Sequence, residues 1–190
     1  MSAKGRGAKT DPLDRYYTPR QYVEQFFDLV LPMYRTRDEV ATFYDPCAGA
    51  GVFGSVARDR LPGLKTREID IDPSGDGILK KNYLRAPTLR GRVDLIATNP
   101  PYRLAEKFIR KARRDAWIVA LLLRLNWAGS IGRYKSLFSE PENRPTEIFV
   151  LPRRPSFVGR GSDATEYAWF VWDELQDDDV ETIIRWLPPV

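Results

Sequence analysis

The chain has 190 residues, 30 Lys and Arg against 26 Asp and Glu, and a formal net charge of +4, which suits one domain with a substantial core. It contains one cysteine and no histidine, so an internal disulfide framework, a cysteine zinc site, a Ser-His-Asp triad and an imidazole general base are excluded. No apolar run reaches the roughly 20 residues of a membrane-spanning helix, and residues 1–6 lack the apolar core of a signal peptide. We therefore expect a cytoplasmic protein, from a reducing compartment, that holds no metal.

Strand and helix patterns alternate along the chain. Residues 1–13 have no apolar pattern and predict a disordered basic arm, so one domain is expected to cover residues 14–190. Periodicity predicts helices at residues 19–34, from the glycine loop to about residue 60, at 104–114 and at 132–138. Apolar runs predict strands at residues 41–44, 66–71, 93–98, 116–125, 146–151 and 167–172, the last two forming a hairpin, with an abbreviated crossover at residues 74–92. This order predicts an α/β fold whose sheet is mostly parallel, with an antiparallel strand from the C-terminal hairpin.

The first strand runs into a glycine loop, in which Gly49, Gly51 and Gly54 match the G-x-G-x-x-G dinucleotide fingerprint. A strand before this loop and a helix after it favour a ligand site over a plain tight turn. Asp45 and Pro46 stand just before the glycines, where a carboxylate would repel a pyrophosphate and attract an ammonium or sulfonium group. The loop therefore predicts a cationic ligand, and a nicotinamide-dependent oxidoreductase is the alternative.

Acidic residues occupy the end of the second strand. Alternation places Glu68, Asp70 and Asp72 on one face, where a carboxylate can accept two hydrogen bonds from a ribose diol. We assign that role to Asp70, with Asp72 as its neighbour. The alternative is that these carboxylates are solvated or cap the following segment.

The third strand ends at Asn99, Pro100, Pro101 and Tyr102. Proline lacks an N–H and fixes its own φ, so the ladder cannot continue and Asn99 is held at a rigid, extended strand end. Such an end presents an amide, a backbone carbonyl and an aromatic ring together, which suits a planar group with an exocyclic amine. The alternative is a strand-terminating turn packed by an aromatic side chain.

Positive charge is concentrated after this strand end. Residues 101–160 contain 13 Lys and Arg against 5 Asp and Glu, whereas residues 161–190 contain 1 against 8. One interpretation is a phosphate-rich partner that approaches the strand end. The other is a solvated helix face between residues 107 and 114.

Three elements, taken in chain order, resemble S-adenosylmethionine-dependent DNA methyltransferases of the adenine-N6 type, most closely small phage-like enzymes. They are Tyr-Tyr-Thr-Pro at residues 16–19, Asp-Pro-Cys-Ala-Gly-Ala-Gly at residues 45–51 and Asn-Pro-Pro-Tyr at residues 99–102. Residues 120–127 and 153–157 are also similar to that group, so the resemblance spans residues 16–172. It implies a Rossmann-like S-adenosylmethionine methyltransferase sheet and a bacterial or phage-infected host cell.

The resemblance also implies roles for individual residues. It assigns the cofactor S-adenosyl-L-methionine to Tyr17, Thr18, Pro19, Asp45, Pro46, Ala48, Gly49, Gly51 and Asp70. The family usually contacts the cofactor adenine through an Asp, and the corresponding residue here is Asn82. The catalytic residues would be Asn99, Pro100, Pro101 and Tyr102. The chain has no long insertion for target recognition, so the contacts to double-stranded DNA fall to Arg103, Arg124, Arg153, Arg154 and Arg160, and sequence specificity is expected to be slight.

These residues suggest one reaction. The Asn99 side-chain oxygen and the Pro100 carbonyl would accept the hydrogens of adenine N6, and Tyr102 would stack on the base after it leaves the duplex. No strong base is required, which is compatible with a chain that lacks histidine. The expected activity is methylation of adenine N6 in DNA. The alternatives are RNA adenine, cytosine N4 or protein glutamine as the acceptor, a nicotinamide oxidoreductase, and a DNA-binding module without catalysis.

Overall fold

The computed structural model describes residues 17–35, 39–156, 165–176 and 181–190. The predicted basic arm at residues 1–13 therefore lies outside the described residues, as do Tyr16 and Arg160. The first described helix, α1 (Arg20–Gln25), begins after Pro19 and continues as a π-helical turn (Phe26–Val30) and a 3-10 turn (Leu31–Met33). This confirms the predicted helical segment, whose apolar side chains face the core.

The described strands form one eight-stranded sheet in the order β3-β2-β1-β4-β5-β7-β6-β8. Their bounds are β1 Thr42–Asp45, β2 Lys65–Asp70, β3 Leu79–Lys80, β4 Val93–Thr98, β5 Ala116–Arg124, β6 Glu147–Val150, β7 Tyr167–Asp173 and β8 Ile183–Trp186. Strand β7 is antiparallel to its neighbours β5 and β6, and every other pair is parallel. The predicted fold class is confirmed. The two-residue β3 and the exposed edge strand β8 were not predicted.

Two longer helices cover the sheet on opposite faces. Helix α2 (Val52–Arg60) connects β1 to β2, and helix α3 (Ala105–Asp115) connects β4 to β5. The two connections run in opposite directions across the sheet, so right-handed crossovers place their helices on opposite faces. Helix α1 packs beside α2. Phe26 of the π-helical turn after α1 and Phe53 of α2 contact the ring of Trp169 in β7. A short helix, α4 (Ile131–Arg133), follows β5 and continues as a π-helical turn (Tyr134–Phe138).

The strand order reverses between β1 and β4, which are adjacent and parallel. From β1 the chain proceeds towards one edge of the sheet, and from β4 it proceeds towards the other. In open α/β sheets the carboxyl ends of two such strands border a crevice that binds ligands. Asp45 ends β1 and Thr98 ends β4, so the Asp45 loop and the Asn99 strand end lie at this crevice.

Candidate functional site

A cleft opens at the carboxyl edge of the sheet, where β1 and β4 diverge. Its empty space is about 790 Å³, including the part open to solvent. It is lined by residues from five segments: Tyr17, Pro46, Cys47, Gly49, Asp70, Ile71, Asp72, Lys81, Asn82, Tyr83, Leu84, Asn99, Pro101, Leu104 and Phe108. A smaller adjoining hollow adds Thr18, Ala48, Ala50, Val52 and Phe53. Asn99 and seven of the ten predicted cofactor residues thus line these two cavities, and Pro19, Asp45 and Gly51 do not.

Asp45 is a fully buried carboxylate beneath the cleft. Its Oδ1 atom accepts hydrogen bonds from the Thr98 hydroxyl at 2.6 Å and from the Cys47 N–H at 3.0 Å. Its Oδ2 atom is buried and has no hydrogen-bond partner among the described residues. Burial raises the pKa of Asp45 to about 8, although the bonds from Thr98 and Cys47 act in the opposite direction. This buried Oδ2 atom is suited to bind a cationic group, because a nearby cation would offset the free-energy cost of desolvating the charged carboxylate.

Asp70 fastens the glycine loop to the end of β2. Its Oδ2 atom accepts the Gly49 N–H and its Oδ1 atom accepts the Asp72 N–H, each at 2.8 Å. Gly49 and Gly51 both have positive φ, 53° and 84°, which glycine adopts at little cost. The carboxylate is therefore part of the loop's own structure and also lines the cleft. Its predicted ribose contact stays a prediction, and it would use the remaining lone pairs of these oxygens.

The third glycine of the fingerprint, Gly54, lies where α2 passes close to β2. A Cβ atom at Gly54 would overlap the carboxyl group of Glu68. Glu68 is also held by Arg58 at 2.5 Å. This glycine thus permits close packing of the helix on the strand.

Gly54→Ala is expected to lower the free energy of unfolding by no more than about 1 kcal/mol, because the displaced atoms are the terminal carboxyl of the flexible Glu68 side chain, whose weakened pairing with Arg58 is partly offset by the better helix propensity of alanine. Denaturant unfolding followed by far-UV circular dichroism checks this. Gly91→Ala is the matched control, since a Cβ there meets no atom within 4 Å, and its stability should stay unchanged. An equal loss in both variants would contradict the packing role of Gly54.

Asn99 is held by the segment that precedes α1. Its Nδ2 atom donates a hydrogen bond to the Thr18 hydroxyl at 3.1 Å, and Thr18 is buried. This bond fixes the amide plane and makes Oδ1 the end of the side chain that can accept hydrogen bonds from an amine. The preceding residue, Thr98, donates a hydrogen bond to Asp45. The Asn99 amide therefore lies next to the residue that holds the buried carboxylate.

Tyr102, which is predicted to stack on the flipped base, lies among other side chains. Its side chain is only 7% exposed, and the Arg124 guanidinium lies over its ring, 4.9 Å from the centroid. Its ring centroid is 6.0 Å from that of Tyr167, whose hydroxyl accepts a hydrogen bond from Arg124 Nε. A base that stacked on the face now covered by Arg124 would have to displace the guanidinium. The stacking role stays a prediction.

A buried ionic network behind the cleft was not predicted. Asp115, the last residue of α3, accepts hydrogen bonds from the Tyr83 hydroxyl at 2.8 Å, the Leu89 N–H at 2.9 Å and Lys111 Nζ at 3.0 Å. It thereby fastens residues 83–89, and with them Asn82, against α3. Asn82 Oδ1 accepts the Leu84 N–H, so the amide that was assigned to a cofactor adenine also caps this turn. The sequence signal that could have indicated this network is the i,i+4 spacing of Lys111 and Asp115, which favours an ion pair on a helix.

Arg103, Arg124, Arg153 and Arg154, the described arginines among those assigned to nucleic acid, do not line the cleft. Arg103 is exposed on the turn after the Asn99 strand end. Arg153 donates to the Val190 carbonyl, and Arg154 pairs with Glu166 at 2.5 Å. Both lie after β6, whose carboxyl end is at the same edge of the sheet as the cleft. In the part of the chain that the structure describes, no group of metal-ligating side chains is present and no helix is long and apolar enough to cross a membrane.

Comparison with curated proteins finds a partial relative. The release factor glutamine methyltransferase of Chlamydia trachomatis serovar L2 is 29% identical over 102 residues, which cover 47% of this chain and 35% of that protein. The chain thus matches only about a third of the length of this relative. No protein-family model matches the chain.

Solved structures show the same fold at low identity. A protein assigned as a class I S-adenosylmethionine-dependent methyltransferase from Listeria monocytogenes aligns with a TM-score of 0.67 and 14% identity, over 90% of this chain and 65% of that one. A modification subunit assigned to a type I restriction enzyme of Vibrio vulnificus has a TM-score of 0.63 and 17% identity, with 92% and 48% covered. A protein assigned as an RNA methyltransferase from Pyrococcus horikoshii has a TM-score of 0.63 and 16% identity, with 90% and 94% covered. The chain therefore has the fold of class I S-adenosylmethionine-dependent methyltransferases.

Proposed function

We propose that this chain binds S-adenosyl-L-methionine in the cleft and methylates the exocyclic N6 amine of an adenine that is flipped out of DNA. The observation that carries the proposal is the hydrogen bond that joins Asp45 to the residue just before Asn99. The Thr98 hydroxyl bonds to the buried Asp45 carboxylate, and the next residue is Asn99. A site for a cation and an acceptor for an amine are therefore adjacent.

Asp45 and its neighbours fit this cofactor. A positively charged sulfonium or ammonium group would complete the hydrogen bonding and charge balance of Asp45, and the positive-φ glycines allow close approach of the ligand to the backbone. Bound there, S-adenosylmethionine would supply a methyl group activated by the positive charge on its sulfur. Tyr17, Pro46 and Ala48 complete the wall of the site, while Pro19 sets the start of α1 behind Thr18.

Asn99 and Pro100 supply the second half of the chemistry. The N6 lone pair of adenine is delocalised into the ring, which makes the nitrogen a poor nucleophile. The Asn99 Oδ1 atom and the Pro100 carbonyl can accept its two hydrogens, which favours a pyramidal nitrogen and stabilises the positive charge that develops on it. Thr18 holds the amide in the required orientation, so little reorganisation is needed during the reaction.

Protein glutamine is the second candidate acceptor. The 29% identity to a release factor glutamine methyltransferase favours it, and a glutamine amide is also a planar group with an NH₂. We favour nucleic acid because, among the described residues, most exposed cations of α3 and of residues 81–90 form no ion pair, Arg110 being the exception. A nicotinamide cofactor fits less well, because the buried carboxylate of Asp45 would oppose a pyrophosphate.

Transfer of a tritiated methyl group tests the proposal. The protein is incubated with labelled S-adenosylmethionine and, in separate reactions, with unmethylated duplex DNA, RNA and a glutamine-containing peptide. We expect label in N6-methyladenine from the DNA reaction. Label only in cytosine, RNA or peptide would contradict the substrate. Absence of S-adenosylmethionine binding in calorimetry would contradict the cofactor and the enzymatic activity together.

A further inference from the structure

The two faces of the sheet differ in how their surface cations are paired. On the face covered by α1 and α2, the arginines are held in ion pairs with nearby carboxylates. The pairs are Arg20 with Glu24 and Asp59, Arg58 with Glu68, and Arg60 with Asp28 and Glu24. Positive charge on this face is largely balanced.

The opposite face carries cations without such partners. It is formed by the outer surface of α3 with the turn before it, and by residues 81–90. Six exposed residues there make no ion pair within the described residues: Lys81, Arg85, Arg90, Arg103, Lys107 and Arg114. We call these six residues the basic face. Arg110, between them on α3, is by contrast paired with Glu106.

The basic face is continuous with the cleft. Lys107 and Arg114 are seven residues apart, two helical turns, and therefore share one side of α3. Arg103 and Lys81 mark its other end, where Lys81 and Leu104 line the cleft. The two halves of the face are fastened together by Asp115, which binds Tyr83 and Leu89 from residues 81–90. The spacing of these cations is thus set by a buried network.

We propose that the basic face binds the phosphate backbone of the nucleic acid that delivers its base to the cleft. The inference rests on the proposed function, which it extends by assigning the backbone contacts to α3 and residues 81–90. Unpaired cations gain the most from phosphates, because no intramolecular pair must be broken and condensed counterions are released. Among residues 81–90 and 103–114, the only exposed large apolar side chain is Leu104 at the cleft. An interface for a protein partner would be expected to include a more apolar centre.

Salt dependence of binding tests this assignment. The variant Lys107→Gln/Arg114→Gln removes two cations of the basic face that are not among the cleft-lining residues. The control Arg20→Gln/Arg60→Gln removes the same charge from the face covered by α1 and α2, where both arginines are ion-paired. Binding to a fluorescent 25-base-pair duplex, and to RNA of the same sequence, is followed by anisotropy over a range of salt concentrations. We expect the slope of log K against log[salt] to become shallower by about 2 in the test variant, at about 0.9 per lost phosphate contact, and to stay unchanged in the control.

The outcomes separate this inference from the proposed function. Equal slopes in the test and control variants would overturn the basic face as a phosphate site, whatever the catalytic result. Labelled polyglutamate serves as a third probe, and its salt-dependent binding without salt-dependent binding of either nucleic acid would overturn the inference in favour of an acidic protein. A shallower slope on DNA or on RNA supports it and identifies the polymer. Calorimetry should give the same affinity for S-adenosylmethionine in all variants. If the unmodified protein did not bind S-adenosylmethionine, that result would contradict the proposed function alone.

Discussion

Asn99→Ala is expected to lower the rate of methyl transfer by about 10²–10³-fold, the scale observed when one preorganised hydrogen-bonding group is removed from an active site. Alanine removes the acceptor for one N6 hydrogen and also the Nδ2 group that bonds to Thr18. Single-turnover transfer of a labelled methyl group to DNA measures the effect. Affinity for S-adenosylmethionine should change little, because the cation site belongs to Asp45.

Asn126→Ala is the matched control for this variant. Asn126 is an exposed asparagine that follows β5 and is outside the cleft-lining residues, so its replacement should leave the transfer rate unchanged. Asn99→Asp adds a second comparison, since aspartate keeps an acceptor and loses the donor to Thr18. An Asn99→Ala variant with an unchanged single-turnover rate would contradict the catalytic role of this amide.

Much of the fold could be predicted because its signals are local. The run from Ala116 to Arg124 is apolar at almost every position, as expected for a strand buried on both faces, and it is β5. Proline after Asn99 stops β4 at the predicted residue. Strand β8 was missed because Ile183–Trp186 is short and exposed, so neither its length nor its pattern distinguishes it from a loop.

The parts of the site that were missed depend on contacts between distant residues. Tyr102 is covered by Arg124 and Tyr167, which follow it by 22 and 65 residues in the sequence, and no local pattern reports such a contact. Asp115 lies one residue beyond the helix predicted at residues 104–114, and no role was predicted for it. A carboxylate in the last turn of a helix is unfavourable towards the helix dipole, and this exception is explained by its buried bonds to Tyr83, Leu89 and Lys111.

The protonation of Asp45 makes the free protein sensitive to pH. Burial raises the pKa of this carboxyl to about 8 from its usual value of 3.8. Between about pH 4 and pH 8, the Asp45 carboxyl keeps its proton in the folded chain and has lost it in the unfolded chain. The stability contributed by the raised pKa is complete below about pH 4 and is lost as the pH rises towards 8, by at most about 1.4 kcal/mol per pH unit. Asp45→Asn should therefore be more stable than the unmodified protein at pH 9, measured by denaturant unfolding without ligand.

Binding of the cationic cofactor should show the opposite trend. The cation requires the ionised carboxylate, so each pH unit below about 8 should weaken S-adenosylmethionine binding by up to about tenfold, until the pKa of the bound state is reached. Asp45→Asn removes this charge, and we expect an affinity about 10–100-fold lower at pH 8 and a flat profile between pH 6 and 8. Calorimetry in buffers of different ionisation enthalpy would detect the proton released on binding near pH 7. A cofactor affinity that is independent of pH in the unmodified protein would contradict the contact between Asp45 and the cation, even if methyl transfer to DNA were observed.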